Sequence, residues 1–138
     1  MLSIGIVGSR EFTDQTLMRR VIKALVQKHG PFRLVSGGAK GADSLAAEEH
    51  AANVPEGGQT IHLPNHPDAY RAFGQNFRDR AFGRNAWIVR DSDFIVAFFV
   101  TPEMKGGTLN TVNHARRSGK AVYAHMGDGR WVVEDPSK

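Results

Sequence analysis

The stretch that decides the fold runs Phe32-Arg33-Leu34-Val35-Ser36-Gly37-Gly38-Ala39-Lys40-Gly41-Ala42-Asp43. It begins as a short apolar strand, turns on adjacent glycines and leads at Ala42 into an alanine-rich helix. Adjacent glycines let a backbone turn without steric cost, and the first amides of a helix attract anions. The stretch therefore predicts a β–α turn that could hold a phosphate, although an ordinary tight turn explains the same residues.

Two further turns repeat this pattern. Gly8-Ser9-Arg10 follows a strand at residues 3–7, and Lys105-Gly106-Gly107-Thr108 follows the apolar run at residues 94–100. In an open parallel sheet, turns of this kind emerge at the same edge. Together the three turns predict a site for a phosphate-bearing ligand, with a nucleotide as the leading candidate.

Strand and helix patterns alternate along the chain. We predict strands at about 3–7, 33–36, 59–63, 93–99 and 121–125. The predicted helices run from a cap at residue 13 or 14 to about 29, then 42–52, 69–90 and 108–118. Residues 131–133 form either a short terminal strand or an irregular segment outside the sheet. The alternation predicts a single doubly wound, Rossmann-like α/β domain over residues 1–138, with a mainly parallel sheet of five to six strands.

Length and composition also fit one globular domain. The chain has 138 residues, 41% hydrophobic and 23% charged, which is ordinary for a domain with a real core. It has no cysteine, which excludes disulfides and thiolate metal sites. No apolar run is long enough to cross a bilayer and no signal-peptide pattern opens the chain, so we expect a cytoplasmic protein without membrane contact.

The net charge of +4 makes nucleic acid a partner to consider. The basic residues are scattered over the predicted helices, however, and no dense basic tail or basic–aromatic stripe is present. Solvated helix faces explain this scatter, so a nucleic-acid partner is disfavoured at this stage.

Several side chains near the turns could contact a nucleotide. Arg10 can pair bidentately with a phosphate, and Phe12 could either stack on a base or fill the core. Asp43 lies in the first turn of its helix, where it could compensate the helix dipole, hold a ribose hydroxyl or act as a base. Lys40 adds a formal charge, and the Thr108 hydroxyl could donate to a ligand or cap its helix.

The sequence offers little for metal or nucleophilic catalysis. His62 and His66 are four residues apart, but the prolines between and after them prevent a shared helix face. No Gly-x-Ser-x-Gly elbow, HExxH pair or closely spaced acidic cluster is present. A metalloenzyme or nucleophilic hydrolase is therefore disfavoured, and no metal is expected.

The turn motifs resemble those of a known family. Residues 8–14 and 36–43, then Leu45-Ala46, Arg84-Asn85, the strand at 93–98, Gly107-Thr108 and residues 119–122, are similar to the YspA-type (cpYpsA-related) branch of the SLOG superfamily. That superfamily also holds the DprA (Smf) DNA-processing proteins and the LOG phosphoribohydrolases. Small members of it occur in phages and bacteria, and the resemblance covers residues 3 to about 125.

This resemblance implies a Rossmann-like fold that binds a nucleotide or a nucleotide-derived ligand, such as an ADP-ribose or NAD derivative, on its glycine loops. It also implies a homo-oligomer paired through helices, for which Phe73, Phe77, Phe82 and Trp87 are exposed candidates unless they belong to the core. Combined with the chemistry above, the predicted ligand-binding residues are Gly8, Ser9, Arg10, Phe12, Ser36, Gly37, Gly38, Ala39, Lys40, Gly41, Asp43, Arg84, Asn85, Gly106, Gly107 and Thr108.

One departure from the family bears on catalysis. LOG-type enzymes carry a glutamate shortly after the Gly-Thr pair, whereas Asn110 and Thr111 stand in that region here. Neither can act as a general base at neutral pH, so the resemblance leaves enzymatic activity open. The leading expectation is a protein that binds, senses or sequesters a nucleotide ligand. The alternatives are a nucleotide or N-glycosidic hydrolase, with Asp43 as its catalytic carboxylate, and a DprA-like nucleic-acid-binding protein.

Overall fold

Six strands form one sheet in the computed structural model, which describes residues 1–137. They are β1 (Ser3–Gly8), β2 (Arg33–Ser36), β3 (Gln59–Ile61), β4 (Phe94–Phe98), β5 (Val122–His125) and β6 (Trp131–Glu134). Their order across the sheet is β3-β2-β1-β4-β5-β6. The first five are parallel and β6 runs antiparallel to β5. The predicted Rossmann-like fold is confirmed, and residues 131–134 are a strand.

Five α-helices connect or flank these strands. They are α1 (Gln15–His29), α2 (Ala42–Asn53), α3 (Pro67–Phe73), α4 (Phe77–Arg90) and α5 (Gly106–Arg117), with a 3-10 turn at Pro55–Gly57. Asp14 caps α1, because its side chain accepts a hydrogen bond from the Leu17 amide. Within residues 1–137, no helix is both long enough and apolar enough to span a membrane.

The predicted single helix over residues 69–90 is wrong, because α3 and α4 are separate. Gly74 ends α3 with a φ of 89°, a left-handed conformation that other residues rarely adopt. Asn76 then begins α4 by accepting a hydrogen bond from the Asp79 amide. The buried Arg80 side chain donates to the carbonyl oxygens of Gly74 and Gln75, which fixes the break between the two helices.

Both faces of the sheet are covered, and each has its own core. On one face, Ile4, Ile6 and Phe98 pack with residues of α1 and α2. On the other face, Val7 and Ile95 pack with residues of α4 and α5. Since side chains of a strand alternate between faces, the two layers share the same central strands. The carboxyl ends of β1, β2 and β4 therefore meet at one edge, where α1, α2 and α5 begin.

Candidate functional site

A cavity of about 400 Å³ opens at the carboxyl edge of the sheet, between the ends of β1 and β4 and the helices α4 and α5. Ten of the predicted ligand-binding residues line it: Gly8, Ser9, Arg10, Ala39, Asp43, Arg84, Asn85, Gly106, Gly107 and Thr108. Six do not line it: Phe12, Ser36, Gly37, Gly38, Lys40 and Gly41. The first and third turns thus face the cavity, whereas most of the second turn lies behind its wall.

Asp43 holds the second turn together. Its Oδ2 accepts hydrogen bonds from the amides of Gly37 (3.2 Å) and Ala39 (3.3 Å). The Ala42 amide, at the start of α2, donates to the Ser9 carbonyl at 3.1 Å. These amides were the groups expected to bind a phosphate, and they are occupied by acceptors of the chain itself. Asp43 therefore stands where an external anion was predicted.

Burial dominates the protonation of this carboxyl group. Only 4% of the residue is exposed, and burial raises the pKa of Asp43 above its ordinary value. The Ala39 amide, the Arg84 guanidinium and the Gly37 amide oppose this shift by stabilising the charged form. The buried Ser36 hydroxyl also lowers the pKa of Asp43, although it makes no hydrogen bond of ordinary length and angle.

The Arg84-Asn85 pair of α4 ties the turns to each other. Arg84 Nη1 donates to the carbonyl oxygens of Gly37 and, at 2.8 Å, His62, which follows β3. Its Nε donates to Asn85 Oδ1 at 2.9 Å. Asn85 Nδ2 in turn donates to the Gly107 carbonyl at 3.3 Å, in the first turn of α5. Both side chains are nearly fully buried, so this network fixes the cavity wall.

Two glycines of the second turn are required by close packing. A Cβ at Gly37 would lie 2.6 Å from the guanidinium carbon of Arg84. A Cβ at Gly41 would meet the backbone of Arg10 at 2.6 Å, and the φ of Gly41 is 77°. These glycines leave room for Arg84 and for the backbone of Arg10. Glycine is therefore required in this turn by packing within the chain and not by the approach of a ligand.

The remaining predicted residues that do not line the cavity have different surroundings. Phe12 is 6% exposed and packs on Phe98 with ring centroids 4.9 Å apart, so the structure places it in the core. Lys40 is exposed on the second turn. A Cβ at Gly38 would meet the side chains of Ile61 and Leu63 on the side away from the cavity.

The start of α5 is the open, positively charged part of the site. It has neither a side-chain cap nor an acidic residue in its first turn, and its first residues, Gly106, Gly107 and Thr108, line the cavity. Uncapped amides at a helix start favour an anion. Arg10 and Lys105 line the same mouth and are exposed. Burial lowers the pKa of Arg84, Asp43 opposes that shift, and the nearby Arg10 charge lowers the pKa further.

Several lining residues were not among the predicted ligand-binding residues. Phe82 of α4 lines the cavity, and the exposed Arg78 guanidinium lies 5.0 Å from its ring centroid. This basic–aromatic pair is spaced by four residues on one helix face, a signal that the sequence did contain. Glu11 and Glu103 also line the mouth and reduce its positive charge.

The side chains considered above for metal binding and catalysis have the following positions. No histidine lines the cavity. Across residues 1–137, no group of three or more His, Cys, Asp or Glu side chains is arranged to hold a metal ion. Asp43, the candidate catalytic carboxylate, is engaged by two amides of its own turn. The arrangement can hold an anion at the start of α5 and a planar group beside Phe82.

The chain is similar to DNA-processing proteins in sequence over part of its length and in fold. Residues 1–66 match the family model of DNA recombination-mediator protein A. DNA processing protein A from Helicobacter pylori, whose structure was described for its mode of binding single-stranded DNA, has a TM-score of 0.66 at 18% identity. That match covers 99% of this chain and 69% of the other.

DNA processing protein A (DprA) from Streptococcus pneumoniae has a TM-score of 0.68 at 21% identity, over 94% of this chain and 53% of the other. No curated protein matches the chain. At this identity the two structures establish a shared fold.

These matches correct two predictions. The main functional expectation, a nucleotide-ligand binding protein, is contradicted, because the family model and both structures are of DNA-processing proteins. The expectation that nucleic acid is a disfavoured partner is contradicted by the same matches. The SLOG superfamily fits at the coarse level, whereas the YspA-type branch finds no support among them. The ADP-ribose-type ligand and the homo-oligomer stay untested predictions.

Proposed function

We propose that this chain binds single-stranded nucleic acid at the carboxyl edge of its sheet. The observation that carries the proposal is the uncapped start of α5, flanked in the same cavity mouth by the exposed cations Arg10 and Lys105. Helix amides and basic side chains are the groups that bind backbone phosphates. Phe82 lines the same cavity and offers a ring on which a base could stack.

The relatives support this proposal independently of the charges. The Helicobacter pylori protein that shares the fold was described for its binding of single-stranded DNA. The family model that matches residues 1–66 is that of a DNA recombination mediator. Those residues include the first turn, Ala39 and Asp43, and they supply one third of the residues that line the cavity.

The lining and charge of the site favour a single strand over a duplex. The cavity is partly apolar, with Phe82, Ile88 and Phe99 among its lining residues. A duplex hides its bases and is bound mainly by broad basic surfaces, whereas an unpaired strand can offer both phosphate and base faces. Glu11 and Glu103 at the mouth would repel the dense charge of a duplex.

The test is fluorescence anisotropy of a labelled oligothymidylate at low salt, with the Arg10→Ala/Lys105→Ala double variant. Charge-assisted hydrogen bonds contribute about 1.5–3 kcal/mol each, so loss of both should weaken binding by about 100-fold or more. The matched control is Lys28→Ala/Arg117→Ala, which removes the same charges at the last turns of α1 and α5, near the opposite edge of the sheet.

Equal weakening in the two double variants would show that general surface charge binds the strand. Absence of binding by the unmodified protein at low salt would refute the proposal. A duplex of the same length, tested in parallel, should bind more weakly than the single strand.

A further inference from the structure

We propose that Trp131, on β6, is a second base-stacking surface that carries a bound single strand beyond the cavity. The inference rests on the proposed function, since it extends the same nucleic-acid site. Trp131 is 42% exposed, which is unusual for an indole in a sheet whose central rows are buried. Nothing in the cavity involves this residue, so its exposure has no role in the site described above.

The strand register places Trp131 in line with the first glycine turn. Gly8 of β1 pairs with Phe98 of β4, Phe98 pairs with His125 of β5, and His125 pairs with Trp131 of β6. Register partners of adjacent strands project to the same face of a sheet. The row thus runs from Gly8 to Trp131 across three strand spacings, or about 14 Å, on the face that packs with α1 and α2. The cavity lies on the other face, beside α4 and α5, so a bound strand must pass around the carboxyl edge of the sheet to reach Trp131.

The indole of Trp131 packs against two aromatic rings. The Trp131 ring meets the rings of Phe98 (centroids 5.9 Å apart) and His125 (5.1 Å), both at an interplanar angle of 72°. Phe98 is fully buried and also packs on Phe12, behind the Ser9-Arg10 turn. The indole is therefore fixed by edge-to-face contacts while two-fifths of the residue stays accessible, as a stacking surface requires.

The turn before β6 connects this surface to the cavity. Gly127 packs directly against the backbone of Val100 and Thr101, two residues that line the cavity. The Ser9 amide donates to the Phe98 carbonyl at 2.9 Å, which joins the first turn to the same row. A nucleic-acid strand that leaves the cavity mouth over these segments would pass around the carboxyl edge of the sheet to reach Trp131.

Stacking explains the chemistry of this surface better than phosphate binding does. The neighbouring Arg130 is exposed, but its guanidinium is paired with Asp128 at 3.1 Å. The Arg130–Asp128 pair contributes no net charge. Base–aromatic stacking needs no charge and accepts any base, so we expect little sequence preference at Trp131.

The experiment uses the Trp87→Phe variant, in which Trp131 is the remaining tryptophan. Oligothymidylate should quench its emission in parallel with binding measured by anisotropy. Trp131→Ala should weaken binding about 5-fold or more, since stacking contributes about 1–3 kcal/mol per base. Trp131→Phe should keep most of the affinity. The dependence of affinity on salt should be the same in all three, because phosphate contacts are unchanged.

The matched control is Val133→Ala, on the same strand and exposed. It should bind oligothymidylate as the unmodified protein does. Unquenched emission together with full affinity in Trp131→Ala would overturn the inference and leave the proposed function standing. A changed sedimentation mass in Trp131→Ala with unchanged affinity would also overturn it, and would assign the surface to a second copy of the chain. Absence of oligothymidylate binding by the unmodified protein would overturn both proposals.

Discussion

Asp43 shows how one residue can fit a motif and serve a different purpose. Its position after a glycine turn left open a role in compensating the helix dipole and a role in binding a ligand or in catalysis, and its carboxylate accepts the amides of Gly37 and Ala39. The sequence could predict where Asp43 lies but not what it contacts, because that depends on the path of a turn set by long-range packing. Phe12 illustrates the same limit, because a sequence does not distinguish a ring that stacks on a base from a ring that packs in the core.

The burial of Asp43 predicts an unusual pH dependence for Asp43→Asn. Because the folded pKa is raised, the folded state holds more protons than the unfolded state just above about pH 3.9, the ordinary aspartate value. The contribution of Asp43 to stability is thus present at acid pH and falls as pH rises through the folded pKa. Asparagine cannot ionise and its Oδ1 can accept the same amides. The melting temperature of the variant relative to the unmodified protein should therefore rise from pH 4 towards neutrality.

Asp128→Asn is the control of opposite sign. The Arg130 amide and guanidinium lower the pKa of Asp128, so its contribution to stability is present near neutrality and lost at acid pH. Thermal melts of both variants over the same pH series should diverge in opposite directions. A difference in melting temperature between Asp43→Asn and the unmodified protein that does not change with pH would contradict a raised pKa for Asp43.

At the scale of elements, strands and most helices were predictable because apolar runs and turn residues mark them clearly. The break between α3 and α4 was not, because Gly74 and Gly83 look equivalent in the sequence. Gly74 has a φ of 89° and ends a helix, whereas Gly83 lies inside α4 against the Phe73 ring. Tertiary contact, which decides between these two roles of glycine, is not visible in a local pattern.

Gly83 therefore yields a prediction that runs against helix propensity. Alanine normally stabilises a helix interior by up to about 1 kcal/mol relative to glycine. A Cβ at Gly83 would meet the Phe73 ring at 2.5 Å, so Gly83→Ala should instead destabilise the fold by about 1–3 kcal/mol. Urea denaturation measures the change.

Gly107→Ala is the matched control, because its Cβ would make only an ordinary 3.7 Å contact with Phe82. It should leave the free energy of unfolding unchanged or raise it by up to about 1 kcal/mol. A Gly83→Ala protein more stable than the original would show that Phe73 can move aside at little cost.

For the whole molecule, the fold was predictable and the proposed nucleic-acid interface was not. The sequence contains no continuous basic stripe, because Arg10, Lys40 and Lys105 belong to three turns that are far apart in the chain. The parallel sheet brings these turns to one edge. The Arg78–Phe82 pair lies on that edge too, but its proximity to the cavity follows only from the packing of α4.

The small number of exposed cations at this edge sets the expected salt dependence. For single strands, log affinity falls with log salt by about 0.7 per neutralised phosphate, so the three cations of the turns, Arg10, Lys40 and Lys105, predict a slope of about −2. Anisotropy titrations of oligothymidylate at several salt concentrations measure it, and Arg10→Ala/Lys105→Ala should flatten the slope by about 1.4. A slope as steep as about −5 would mean that the scattered positive charge, rather than this edge, binds the strand.

The network of Asp43, Arg84 and Asn85 has a consequence for the kinetics of binding. Because it ties the second turn, the end of β3 and the first turn of α5 together, these segments are ordered before a strand arrives. No loop has to fold around the ligand, so association should follow a single phase governed by diffusion and charge, as for preorganised partners. Because of the same rigidity, differences in affinity between nucleic-acid strands should arise from their dissociation rates.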